Sequence, residues 1–154
     1  MAVALRHVGI VVSDMQEALE LYTSYLNCKL INLYETVKGA YISELVGIAE
    51  VEMKIAILKT EDDNRVELIQ YMSHPGKKRE PVSSNDIGAS HFALTVKNID
   101  SLYDQRENYR IQFLSAPLLS PDGYVKVAYA VIMNECLVEL VEVLDERGRF
   151  TGGK

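Results

Sequence analysis

No apolar run in this sequence approaches the ~18 residues that a bilayer-spanning helix requires, which excludes a helical membrane span. Cysteine is scarce: Cys28 and Cys136 are the two present. Both sit inside apolar patterns without CxxC spacing, as expected of reduced core thiols. Basic charge is in deficit, with 16 Lys+Arg against 22 Asp+Glu and a net charge of −6. A phosphate-backbone partner needs a dense basic face, so no nucleic acid partner is expected. The first residues, Met1 to His7, lack the basic segment, apolar stretch and small-residue cleavage site of a secretory signal, and the expected compartment is the cytoplasm. No Gly-rich phosphate-cradling loop or other nucleotide fingerprint occurs.

What is there describes a folded chain. Of 154 residues, 48% are hydrophobic and 25% charged, and a chain of this size buries roughly 68–70% of its unfolded surface. It needs neither disulfides nor a structural metal to fold, so any metal it binds is expected to be functional. The basic cluster Lys77-Lys78-Arg79 reads as a solvated loop or as recognition of an anionic part of a small substrate.

A repeat organises the chain. Arg6-His7-Val8-Gly9-Ile10-Val11-Val12 is echoed by Ser90-His91-Phe92-Ala93-Leu94-Thr95-Val96, with the histidines 84 positions apart. Amphipathic segments follow both, and Asp14 and Asn98 are the expected N-caps. A second echo, Val66-Glu67-Leu68 and Val138-Glu139-Leu140, is offset by 72. Alternation marks further strands through Val51, Met53, Ile55 and Ile57, and through Val125, Val127, Tyr129 and Val131 before a turn at Asn134-Glu135. The prediction is an α+β fold of two tandem βαβββ modules, about 1–72 and 88–146. A connector over 73–89 joins them, and they share one domain as a curved mixed sheet around a central metal-binding cavity.

Strand alternation sends Val8, Ile10 and Val12 under the helix and His7 to the opposite face; His91 repeats that placement. Glu67 and Glu139 likewise occupy the alternate face of otherwise apolar strands. One such residue on its own commonly marks only a solvated surface. Four residues of two ligand-competent types at matching repeat positions point instead to metal binding: two neutral imidazoles and two carboxylates carry a charge of −2, which a divalent cation cancels.

This pattern resembles the vicinal oxygen chelate superfamily, which includes glyoxalase I (lactoylglutathione lyase), methylmalonyl-CoA epimerase, extradiol dioxygenases and bleomycin-resistance proteins. The resemblance runs from Leu5 to Val143 and is carried by Arg6 to Asp14 with Ala18 to Tyr22, by Ser90 to Val96, and by Leu137 to Leu140. It implies that His7, Glu67, His91 and Glu139 bind a divalent ion (Zn, Ni, Co, Mn or Fe). It further implies that the protein is a metal-dependent lyase, isomerase or epimerase acting on a small carbonyl compound, and that the chain pairs as a homodimer. Glu139 is the first candidate for the catalytic base and Glu52 the second, the latter because Val51-Glu52-Met53-Lys54-Ile55 resembles a strand carrying a catalytic Glu in some epimerases. A fourth ligand leaves two open positions on an octahedral ion, which suits proton transfer on a bidentate substrate. Two alternatives stand: a ring-cleaving dioxygenase, which needs a third open position, and a metal-free protein that sequesters an aromatic or drug-like ligand. Gln70, Tyr71, His74 and the remaining tyrosines are left outside the site.

Overall fold

The computed structural model describes residues 4–77, 83–133 and 136–148. The chain divides into two compact units, Met1–Lys78 and Arg79–Lys154, and the division falls inside the connector. Lys78 and Arg79 of the basic cluster, and the turn residues Asn134 and Glu135, lie outside the described residues.

The first unit runs β1 (Val8–Val11), α1 (Met15–Glu20), β2 (Lys29–Lys38), α2 (Ala40–Val46), β3 (Glu52–Lys59) and β4 (Arg65–Tyr71). Its sheet has the order β1-β4-β3-β2, with β1 and β4 parallel and the other pairs antiparallel. The second unit runs β5 (Phe92–Thr95), α3 (Ile99–Asp104), β6 (Ile111–Phe113), β7 (Leu118–Leu119), β8 (Val125–Ile132) and β9 (Cys136–Val143). Its order is β5-β9-β8-β6, with β5 and β9 parallel and β7 also on β8. Both are mixed sheets in an α+β chain, the two βαβββ modules expected from the repeat. In the second unit β6 and β7 share the edge of β8 that corresponds to the one β2 occupies on β3. Among the described residues no helix is long and apolar enough to cross a membrane.

The helix that follows each first strand is set by local chemistry. The Asp14 carboxylate accepts from the Glu17 N–H at 3.0 Å, and the Asn98 side chain accepts from the Ser101 N–H at 3.2 Å. A second clamp comes from the last strand of each unit. Gln70 accepts from the Met15 N–H at 3.1 Å and donates to the Ser13 carbonyl at 2.8 Å. Glu142, 72 positions later, accepts from the Asn98 and Ile99 N–H groups at 2.9 and 3.2 Å. Its negative charge at a helix N-terminus adds a dipole attraction that Gln70 lacks. Gln70 is therefore a fold residue. After α1 the chain widens into a single π-helical stretch, Leu21–Tyr25, closed by the Leu26 N–H donating to the Leu21 carbonyl. Helix α2 ends at Gly47, whose φ of +70° is the left-handed C-cap conformation glycine adopts without a Cβ penalty.

Burial divides the sheet faces as alternation requires, with one adjustment. Ile10, Val12, Val66 and Leu68 are buried against the helix side of the first sheet, and Ala128, Ala130, Val138 and Leu140 in the second. On β3 the buried helix-side residues are Ala56 and Leu58, whereas Ile55 and Ile57 are half-buried on the opposite face. The apolar alternation at Met53, Ile55 and Ile57 thus belongs to the same face as Glu67, with which Ile57 pairs directly. On β8 Val125, Val127, Tyr129 and Val131 are half-buried in the same way. Each sheet is consequently apolar on both faces, and the His/Glu face lies in an apolar surround. Fully burying a side chain such as Leu68 or Leu140 contributes about 1.5–3 kcal/mol.

Candidate metal centre

His7 and His91 each stand one residue ahead of a parallel strand, β1 and β5, rather than within it. In register, Gly9 lies across from Glu67 and Ala93 across from Glu139. Both are small, and both share the imidazole's face by alternation. A Cβ on Gly9 would meet Glu67 Oε2 at 3.8 Å and His7 at 4.0 Å, ordinary contact distances. A small residue here leaves imidazole and carboxylate room to approach.

They do approach, once in each unit. His7 Nε2 lies 3.3 Å from Glu67 Oε2, and His91 Nε2 lies 3.5 Å from Glu139 Oε2. Exposure matches as well, at 39% and 21% for the first pair and 41% and 25% for the second, so the carboxylates are the more sheltered members of both. A charge-assisted N–H···O bond closes to about 2.7–2.9 Å. Two donor atoms on one ion, each bound at about 2.0–2.2 Å, sit roughly 2.8–3.5 Å apart between square and tetrahedral angles. The pairs have the spacing of neighbouring ligands and the donor chemistry of a divalent-ion site. Each unit brings together one imidazole and one carboxylate, and among the described residues no group of three or more His, Cys, Asp or Glu is assembled to hold an ion.

Glu52 is not brought to this face. It opens β3 on the helix-side parity of Ala56 and Leu58 and is ion-paired with Lys38 at 3.2 Å. Lys54 is taken by Glu35 at 2.8 Å. In the connector, His74 Nδ1 lies 2.8 Å from the Ser73 hydroxyl, and Lys77 is exposed.

One group the sequence reading left out stands beside the second pair. The Tyr129 hydroxyl lies 3.2 Å from His91 Nε2, and the two rings pack edge to face with centroids 5.0 Å apart. Tyr129 pairs in register with Glu139. Desolvation first, then the negative charge of Glu139 and a hydrogen bond to its carboxylate, raise the Tyr129 pKa above the ordinary phenol value. The counterpart of Tyr129 in the first unit, at the same register against Glu67, is Ile57. Shifting the repeat by 72 aligns the two, and that alignment was the available signal.

Each unit holds a cavity beside its histidine. The first, of about 560 Å³, is lined by His7 and Glu67 together with Arg6, Arg65, Ile55 and Ile57. The second, of about 700 Å³, is lined by His91 and Tyr129 with Leu114, Leu118, Leu119 and Val127. Both are of small-ligand size.

Residues 6–129 match the family model described as the glyoxalase/bleomycin resistance protein/dioxygenase superfamily. The chain is 26% identical over 125 residues to a 2-epi-5-epi-valiolone epimerase from Actinomyces sp., a match spanning 79% of this chain and 68% of that protein. Among solved structures, a glyoxalase family protein from Bacillus cereus is similar at 19% identity and a TM-score of 0.83, covering 94% of this chain and 96% of that one. The trypanothione-dependent glyoxalase I of Leishmania major is similar at 15% identity and a TM-score of 0.63, covering 92% and 87%. At these identities the structural matches establish the fold.

Proposed function

Because the chain belongs to the glyoxalase/bleomycin resistance protein/dioxygenase superfamily, we propose that it is a metal-dependent lyase, isomerase or epimerase that moves a proton next to a carbonyl. The observation that carries this reading is the twice-repeated spacing of imidazole nitrogen and carboxylate oxygen, 3.3 and 3.5 Å. His7, Glu67, His91 and Glu139 are the proposed ligand set, and the 26% identity to an epimerase supports the reaction class.

A divalent ion held by these groups supplies electrophilic stabilisation of the charge that develops on a carbonyl oxygen. The chain's own residues handle the proton. Glu139 is the proposed base, because Tyr129 stands opposite it in register and offers a hydroxyl that can donate to one carboxylate oxygen while the other takes the carbon-bound proton. Glu67 faces Ile57 and has no such donor at that register. Glu52, ion-paired on the other face, is not part of this scheme. The reading has the protein working on a small-molecule substrate as a homodimer. Exposed apolar side chains on β2 and α2, including Leu30, Leu33, Tyr41 and Leu45, support pairing, which light scattering tests.

The test is solvent deuterium exchange, followed by proton NMR, on a panel of thioesters, hemithioacetals and α-hydroxyketones with the metal-loaded protein. The expected result is exchange at the carbon beside the carbonyl in the parent and none in Glu139→Gln. Oxygen uptake on catechols by the Fe(II)-loaded protein, or binding of an aromatic ligand without turnover of any kind, would overturn the reading in favour of a dioxygenase or a sequestering protein.

A further inference from the structure

Cations on or next to the strands of the first unit divide into paired lysines, two arginines at a cavity, and Lys29, which is exposed at the start of β2 and outside that cavity's lining. Lys38, Lys54 and Lys59 are each ion-paired, with Glu52, Glu35 and Asp63. Arg6 and Arg65 both line the cavity beside His7 and Glu67, and neither lies within ion-pair distance of a carboxylate among the described residues. Acidic groups are in excess in this chain, 22 against 16, so a shortage of carboxylates does not explain two unmatched guanidiniums at one cavity. Arg65 is placed there by alternation, two residues before Glu67 on β4, and Arg6 directly precedes His7. With the single carboxylate of Glu67, two guanidiniums leave the cavity lining net positive.

The scaffold does not ask for arginine at these places. The repeat puts Ser90 where the first unit has Arg6, and Leu137 where it has Arg65, and the second sheet forms the same parallel pair without them. The arginines are therefore an addition to the first unit. Guanidinium offers a planar fork of donors that matches an oxyanion in two-point contact, and it stays charged at every working pH.

We propose that the cavity of the first unit binds an oxyanion of the substrate, a carboxylate or a phosphate, through Arg6 and Arg65. The chemical class of ligand follows: a small molecule with one anionic end. This deepens the reading above by naming a substrate class, and it rests on that reading only in holding that the bound molecule is turned over.

The test uses the full chain and two probes, inorganic phosphate and malonate, followed by the arginine Nε–H signals in proton–nitrogen spectra, with EDTA present so that neither probe can ligate a metal. The expected result is saturable shifts of two arginine signals, lost in Arg6→Gln and Arg65→Gln respectively, with affinity for the preferred probe falling about tenfold for each substitution. Lys38→Gln, on the other face, should leave the affinity unchanged. Preference for phosphate or for malonate identifies the anion. Unchanged affinity in the Arg6→Gln/Arg65→Gln double variant, or binding that appears only when metal is present, overturns the proposal. Circular dichroism guards against an unfolded variant, and metal content measured on the same proteins separates the two readings. Failure of anion binding with the ion retained sinks this inference alone, whereas loss of the ion with anion binding retained sinks the metal reading alone.

Discussion

At one register of one strand pair, the first unit places Ile57 beside Glu67 and the second places Tyr129 beside Glu139. The flanking positions differ as well: Arg6 and Arg65 in the first unit stand where Ser90 and Leu137 stand in the second. Against that variation, the imidazole, the carboxylate, the small residue between them and the side chain that clamps the helix N-terminus recur in both units. The two units share what builds the sheet and presents the two donors, and they differ in the neighbours. On the proposed function the difference separates labour: the second unit carries the proton chemistry, and the first anchors an anion.

The largest expected effect would break that division outright. Glu139→Gln should lower turnover by about 10²–10⁴-fold, the usual contribution of a general base. Glu67→Gln, an uncharged donor at the matching place, should keep turnover within roughly tenfold. Steady-state kinetics on both variants decides it, and equal losses would erase the asymmetry. Next in size are the matched core truncations Leu68→Ala and Leu140→Ala, both at essentially zero exposure. Each should cost about 2–5 kcal/mol in urea denaturation. A cost confined to one of them would show that the two sheets are not packed equivalently.

Much of this arrangement was legible in the sequence, because strand alternation and a repeat are both local signals. Placing Glu67 between Val66 and Leu68, and Glu139 between Val138 and Leu140, was enough to fix their face, and the structure agrees. The caps at Asp14 and Asn98 were readable for the same reason. What was not legible depends on cross-strand partners. The apolar run at Ile55 and Ile57 looks like core by composition, yet register with β4 puts it on the Glu67 face. Glu52 looked like a base until its parity and its ion pair with Lys38 placed it elsewhere. Tyr129 was one tyrosine among nine until β8 met β9. That Arg6 and Arg65 go unmatched is a property of where the carboxylates end up. No single-chain pattern announces α2 or the π-helical stretch after α1.

Two smaller effects sharpen the comparison. Tyr129→Phe should lower kcat by about tenfold, the worth of one hydrogen bond to a charged group, with KM and metal content unchanged. Ile57→Tyr in the other unit should bring no gain. Smallest are the helix clamps, where Gln70→Ala and Glu142→Ala should each cost about 0.5–2 kcal/mol by thermal or urea unfolding. Glu142 should be the costlier and the more salt-sensitive, because its charge also meets the helix dipole.

The central claim is that two imidazole–carboxylate pairs hold a divalent ion, and elemental analysis tests it most directly. The parent, His7→Ala and His91→Ala would each be dialysed against Zn, Ni, Co, Mn and Fe(II) before measurement. The account predicts close to one ion per chain in the parent and almost none in either variant. A parent that stays empty with every metal, or variants that retain the ion, would contradict it.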